Sequence, residues 1–405
     1  MAHVSSSSCK EPIWTSSFRK IWTVNFALFG WEFMLTSPFS FYIKQLGGSE
    51  FLLGLAAGGF ALTTFVMRPL AGWLMDNKSR SSLLIWSSLS LVLITFLYLT
   101  IPILSIVIIL RVVSGFLFSG ATTASFTNAC DSVPANRFGE GISFLGLGNT
   151  LASALGPALG LAIMAKMGFT ALFTVCIAIL MTATFLARKL SYKTINPLTA
   201  SSGQKKHKFS SLFNAYAIPA SLIILFCSIP YGGVSIFIAL HGDYSGLGSG
   251  GLFFMVIAIG TGSTRLFAGR VADKRGERPM ILLGGTGIIV SMLLLLLDSS
   301  ACYYLSGLFF GFGFALSYTG TQTMAMRIVP MEKRGAASST FLCFCNIGVA
   351  LGGITAGWFA TIWNYQLMFG SMSVFVIISL LIYVLWASKT PSAFKNYIRS
   401  AGEPS

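Results

Sequence analysis

Glu32 stands in "NFALFGWEFMLTSPFSFY", a run with no other ionisable carboxylate or amine. The other eleven of the twelve acidic residues fall in polar loops, in tails or at the ends of apolar runs, so Glu32 is the one committed to an apolar interior. The basic residue in a comparable place is Arg111, in "SIVIILRVVSGFLFSG". A charged, unpaired carboxylate in hydrocarbon is costly, so Glu32 must be protonated, paired with a cation or open to water. Each of those states makes it a candidate proton switch. Counting about 1.5 Å per residue from Phe18 places Glu32 roughly 20 Å in, near the middle of a ~30 Å core, and Arg111 within about one turn of that depth. Opposite charges at one depth invite pairing, and protonation of Glu32 can then compete with the binding of a substrate. A static buried pair that fixes helix packing would use the same two residues.

Two polar knots also break the apolar pattern. "RPLAGWLMDNKSR" spans 68–80, and "RLFAGRVADKRGER" repeats its plan from residue 265. Gly72 and Gly269 sit where the absence of a side chain lets another helix approach. Asp76 and Asp273 then lie at the rim, placed to face the positive N-terminus of a neighbouring helix, and Arg80 or Arg278 can pair with an acid on the next one. A solvated, positively charged loop would read the same way.

Other chemistry is sparse. The chain has no G-x-x-x-x-G-K-(S/T) phosphate loop, no H-E-x-x-H pair and no nucleophile with an evident base, which leaves an enzyme reading and ATP hydrolysis without support. The seven cysteines are scattered with no disulfide or zinc spacing and read as buried thiols. His3, His207 and His241 read as tail or loop residues, so neither a metal centre nor an organic cofactor is expected.

The elements that must position these residues follow from composition. Hydrophobic residues make up 54% of the 405 and charged residues only 10%, too few charges to cover a water-facing surface. Apolar runs longer than the ~20 residues of a bilayer crossing recur along the chain. They place twelve helices, at 18–43, 50–74, 81–100, 103–130, 140–165, 168–189, 212–240, 248–271, 279–297, 301–328, 336–362 and 366–388. The expected organisation is a tail over 1–17, a six-helix bundle over 18–189, a polar basic linker over 190–211, a second bundle over 212–388 and a tail over 389–405. Net charge is +15. In a many-span chain that charge reports orientation rather than nucleic acid, and none is expected as a partner. With an even number of spans, only Lys44 and Lys166 among the basic residues fall in the loops opposite the termini, which places both termini in the cytoplasm of a cell membrane.

A shift of 197 positions superposes the chain on itself without a gap. Arg68 meets Arg265, Gly72 meets Gly269 and Asp76 meets Asp273. Asn149 likewise meets Asn346, Gly156 meets Gly353 and Gly160 meets Gly357. Six helices per copy make the copies parallel, related by an axis along the membrane normal.

On these residues the chain resembles the major facilitator superfamily over essentially its whole length. The family's loop signature is matched by Gly269, Asp273, Lys274, Gly276 and Arg278, and more loosely by Gly72, Asp76, Lys78 and Arg80, with Asn77 and Ser79 departing from it. The resemblance implies an all-α polytopic membrane protein of twelve transmembrane helices in two parallel six-helix repeats. It also implies that the two loops latch the bundles together, with Asp131 as a partner for Arg80. Arg111 and Gly115 match the R-x-x-x-G signature that the family associates with proton coupling. "GNTLASALGPALG" resembles its antiporter signature through Gly156, Pro157 and Gly160, although Ala152 and Leu161 replace glycines; Pro157 should kink its helix and the glycines should allow close packing.

The expected function is therefore secondary active transport by alternating access, a proton-coupled export of small organic molecules by a monomer in the lipid bilayer, with the proton gradient as energy source. A proton-coupled nutrient uptake permease and a membrane receptor or scaffold that has lost transport are the alternatives. Trp31, with Phe33, Phe39 and Tyr42, offers aromatic surface for an amphiphilic or cationic small-molecule substrate. Tyr231, Tyr318 and Gln322 are the candidate cavity residues of the second half.

Overall fold

Residues Phe144–Arg188 form 45 apolar helical residues in succession. As one straight rod they would measure about 68 Å, twice the ~30 Å hydrocarbon core. Gly168 resolves the conflict: with φ 80 and ψ 178 it breaks the helix and sends the chain back. Positive φ suits glycine because no Cβ meets the following carbonyl.

The computed structural model describes residues 14–77, 80–133, 137–190, 215–327, 329 and 334–386. Among these the elements are α1 (Ser16–Thr36), α2 (Pro38–Gln45), α3 (Glu50–Asn77), α4 (Arg80–Thr100), α5 (Leu104–Asp131) and the two-armed α6 (Phe138–Arg188). After a 3-10 turn at Ala215–Ala217 follow α7 (Ile218–Tyr244), α8 (Gly250–Arg275), α9 (Arg278–Leu294), α10 (Ser300–Arg327), α11 (Arg334–Ile362) and α12 (Tyr365–Leu385). No strand occurs among the described residues.

Counted as crossings these are twelve, because α1 and α2 make one crossing and the two arms of α6 make two. The sequence predicts the first crossing as an unbroken helix over 18–43. It is instead divided at Ser37, since Pro38 at the first position of α2 has no N–H to continue the ladder. The expected linker over 190–211 and tail over 389–405 lie outside the described residues, apart from Leu190 at the linker's start.

Among the described residues eight stretches are long and apolar enough to cross a bilayer, and large apolar side chains point outward from them. Trp86 is 67% exposed and Met167 70%. An apolar exterior of this kind suits lipid contact. An even number of crossings brings residues 14, 190, 215 and 386 to one end of the bundle, the near end, and the loops at 45–50, 101–103, 245–249 and 363–364 to the other, the far end.

Each half is tied by one pair of helices packed along their length. In the first half α1 lies on the first arm of α6: the Trp22 indole donates to the Phe144 carbonyl at 2.9 Å, and Asn25 donates to Asn149 at 2.7 Å. Above them a Cβ on Gly156 would fall 2.6 Å from Phe33 Cβ. In the second half α7 lies on α11 through Gly348 against Leu225 and Ser228, and Gly352 against Ile229. The halves meet chiefly along α3 and α11, and along the first arm of α6 and α8. At the far end a Cβ on Gly54 would fall 3.1 Å from Gly357 Cα, and one on Gly58 would fall 2.6 Å from Ile354 Cγ1.

The repeat therefore carries a correction. Gly357, paired with Gly160 by the 197-residue shift, faces α3 of the other half rather than α7, and Gly353, paired with Gly156, lies between Ile236 of α7 and Gly54 of α3. Gly352, one position earlier, does for α7 what Gly156 does for α1. A helix in contact with two neighbours about 100° apart can assign adjacent residues to different partners.

Candidate functional site

Arg111 projects from the middle of α5 and donates from Nη2 to Glu32 Oε1 of α1 at 3.2 Å. The arginine side chain is 3% exposed and the glutamate 12%, so the pair is buried but Glu32 keeps a narrow opening. Thr36, one turn further along α1, donates its hydroxyl to the Glu32 carbonyl at 2.9 Å and to Oε1 at 3.3 Å. Oε1 thus accepts two hydrogen bonds. Glu32 Oε2 and Arg111 Nη1 are buried and have no partner.

Aromatic rings hold the guanidinium where it is. Its carbon lies 4.2 Å from the Phe60 centroid, 5.0 Å from Phe39 and 6.0 Å from Trp31. These faces offer negative quadrupole in place of water. The Trp31 indole N–H donates to Thr95 at 3.0 Å, fixing the ring in the interior of the first half, and Tyr42 donates to the Tyr98 carbonyl at 2.6 Å. Trp31 is fully buried. It backs Arg111 instead of facing a cavity.

The signature residues explain how the pair is built. A Cβ on Gly115 would press on Thr63 Oγ1 at 2.5 Å, so glycine there lets α5 settle against α3 where Phe60 covers Arg111. Thr63 donates to the Val112 carbonyl at 2.7 Å across the same seam. Gly156 and Gly160 seat α6 on Phe33 and Met34, next to Glu32 in the chain, and Pro157 lies between them inside the helix. The two sequence motifs therefore position the two partners of one ion pair.

The second half has no counterpart: the 197-residue shift takes Glu32 to Ile229 and Arg111 to Leu308. Tyr231 of α7 lies within electrostatic reach of Glu32 and Cys345 and is stacked on Phe314 at 4.6 Å. Tyr318 packs edge-on to Phe341 at 5.3 Å, and Gln322 is half-buried one turn along α10. Tyr231 thus lies within reach of the Glu32 pair without touching it, whereas Tyr318 lies within reach of Arg68.

The rim residues are more dispersed. The side chains of Asp76, Arg80, Asp273 and Lys274, and the packing of Gly72 and Gly269, lie outside the described residues. Asp131 ends α5 and is exposed, as is Arg278 at the start of α9. Gly276 takes φ 74, the turn that the second signature requires, and Glu277 beside it pairs with Arg327 of α10 at 3.1 Å.

Three features escape a reading of the sequence. Arg68, which reads as a rim residue, has a buried Nε with no partner and lies between the halves near Tyr318, Cys343 and Cys345. His241, which reads as a loop residue, is fully buried in α7 among Tyr303, Tyr365 and Phe369. Far-end ties between the halves run through Ser37, which donates to the Ser235 carbonyl at 2.7 Å, and through Tyr365, which donates to Glu50 at 3.4 Å while Glu50 also pairs with Lys44. A cleft of about 520 Å³, lined by Ala158, Leu161, Gly250 and Met255 among others, also lies at that end and away from Glu32.

Comparison with known proteins agrees with this architecture. The family model described as Major Facilitator Superfamily matches residues 21–297 and 236–404. The chain is 22% identical over 362 residues to the Staphylopine export protein of Staphylococcus aureus, covering 84% of this chain and 88% of that one. It is 23% identical over 386 residues to the multi-drug resistance efflux pump PmrA homolog of Lactococcus lactis, covering 91% and 93%. A crystal structure of a variant of nucleoside transporter NupG superposes with a TM-score of 0.74 at 12% identity, covering 91% of this chain and 99% of that one. With the family model matched across both halves and the twelve crossings in place, the chain belongs to the Major Facilitator Superfamily, as a multi-pass membrane transporter and not an enzyme.

Proposed function

We propose that the protein is a proton-coupled exporter of small organic molecules working by alternating access, with both termini in the cytoplasm. The observation that carries this reading is the Glu32–Arg111 pair, a single titratable ion pair at mid-depth with one oxygen and one nitrogen left unpartnered. Protonation of Glu32 removes its attraction for Arg111, so proton binding and the state of the transport site are linked through one switch. The efflux proteins among the relatives support the outward direction, and the basic near end supports the orientation. On that orientation the Ser37–Ser235 and Glu50–Tyr365 ties close the outer face in this conformation. The second half, which has no counterpart of this pair, would supply selectivity, and the first half the coupling.

The test is transport in proteoliposomes with an imposed pH gradient, screening compounds for substrate-evoked proton movement. Wild type should move protons against substrate, while Glu32→Gln should lose gradient-driven accumulation by about tenfold or more and keep substrate exchange at zero gradient. Equal coupled flux in wild type and Glu32→Gln would overturn the assignment. Accumulation that follows the proton inward would favour uptake.

A further inference from the structure

Beside the buried Arg111 the first half holds a half-buried arginine, and only one of the two is answered. Arg111 has Glu32. Arg68, at the near-end limit of the apolar part of α3, pairs with no carboxylate among the described residues, and its Nε is buried without an acceptor. A cation held this way is expensive unless something else balances it. Its surroundings belong to the opposite half: Tyr318 of α10 and Cys343 and Cys345 of α11 lie within its electrostatic reach.

A second unanswered donor lies on the same stretch of α11. Asn346 follows Cys345 on α11, and its Nδ2 is buried with no partner. Its repeat-mate Asn149 is satisfied, accepting from Asn25 at 2.7 Å and so bridging α1 and α6. The same residue at the same repeat position is thus structural in one half and idle in the other. An idle amide donor and an uncompensated guanidinium converge on one stretch of α11 at the interface between the halves, and both lack an acceptor. The level is contiguous with the coupling site, because Cys345 accepts or donates a hydrogen bond with Ser228 at 3.4 Å and lies within reach of Tyr231, which in turn reaches Glu32.

Resting on the transport reading above, we infer that Arg68 and Asn346 form an anion subsite, and that the cargo carries a carboxylate or phosphate group. Guanidinium donors match such groups in a two-pronged geometry, and a side-chain amide completes the shell. The substrate would then span the interface, its anionic group on Arg68 and its body against Tyr231 and Phe314. This reverses the expectation from the first-half aromatics and Glu32, which pointed toward a cation.

The experiment measures ligand-dependent thermal unfolding of the purified full chain in detergent, with salicylate, phthalate, citrate and glutamate as anions, and tetraphenylphosphonium and ethidium as cations. Among the anions at least one should stabilise wild type, with apparent affinity weakened by about tenfold to a hundredfold in Arg68→Gln and less in Arg68→Lys, as for loss of a charged hydrogen bond. Asn346→Ala should weaken the same anion. Without ligand, Arg68→Gln should unfold no earlier than wild type, since it removes a half-buried charge that has no carboxylate partner; a purely structural arginine would lower the unfolding temperature. Repeating the titration in neutral phosphatidylcholine nanodiscs and in phosphatidylglycerol ones separates cargo from lipid: stabilisation through Arg68 by the anionic lipid alone would overturn a cargo subsite. No stabilisation by any anion, or equal affinity in Arg68→Gln, would overturn it too. If anions bind through Arg68 but evoke no proton movement in proteoliposomes, it is the transport reading that fails.

Discussion

Glu32 and Arg111 form a unit whose members are costly alone. Arg111→Gln leaves a carboxylate buried beside rings, and should lower stability by about 3 kcal/mol, whereas Glu32→Gln/Arg111→Gln together should recover most of that loss. Thermal unfolding of the three variants gives the coupling directly. If Arg111→Gln unfolds with wild type, the two charges are not interdependent. This pair was legible in the sequence because each residue is a lone charge in an apolar run and the helical rise fixes depth. Arg68 was not, since position within a signature says nothing of which half will cover it, and His241 was misplaced for a related reason: α7 extends four residues past the end expected at 240.

At the level of elements, the seam between α1 and α6 decides where Glu32 stands. Gly156→Ala would set a Cβ 2.6 Å from Phe33 Cβ and 3.1 Å from the Met34 nitrogen, so α1 must move. The expected cost is about 1–3 kcal/mol in unfolding, with a matching fall in coupled flux. Gly146, on the same arm of α6, has no atom within 4 Å of such a Cβ, and Gly146→Ala should leave unfolding unchanged or raise it by about 0.5 kcal/mol. Equal effects at the two positions would remove the seam's special standing. Helix count and span limits came from apolar runs and charge breaks, but the break at Ser37 and the division of labour between Gly352 and Gly357 depend on which neighbour a helix face meets. A single sequence does not contain that information. The second signature behaves as a tie inside its own half, through Glu277 and Arg327.

At the level of the whole molecule, few polar contacts join the halves at the far end, which suits a seal that must open. Tyr365→Phe removes the hydrogen bond to Glu50 and leaves the ring against Phe237 and His241. Loss of about 1 kcal/mol should shift the equilibrium about fivefold toward an open far end. A cysteine at Ala239, 2% exposed, reports it through its rate of reaction with a membrane-impermeant maleimide, which should rise by that factor in Tyr365→Phe. An unchanged rate would mean that the apolar seam between α3 and α11 holds the seal alone.

The restriction of the ion pair to the first half also has an electrical meaning. While Glu32 is ionised, that bundle's interior pair sums to zero; when a proton arrives, the pair becomes a single positive charge on Arg111. Any rocking that carries this charge through part of the membrane's field does work against voltage, about 2.3 kcal/mol for a full traverse at about 100 mV. Turnover should therefore sense membrane potential even for a cargo with no net charge, and the proton-loaded state is the one on which the field acts.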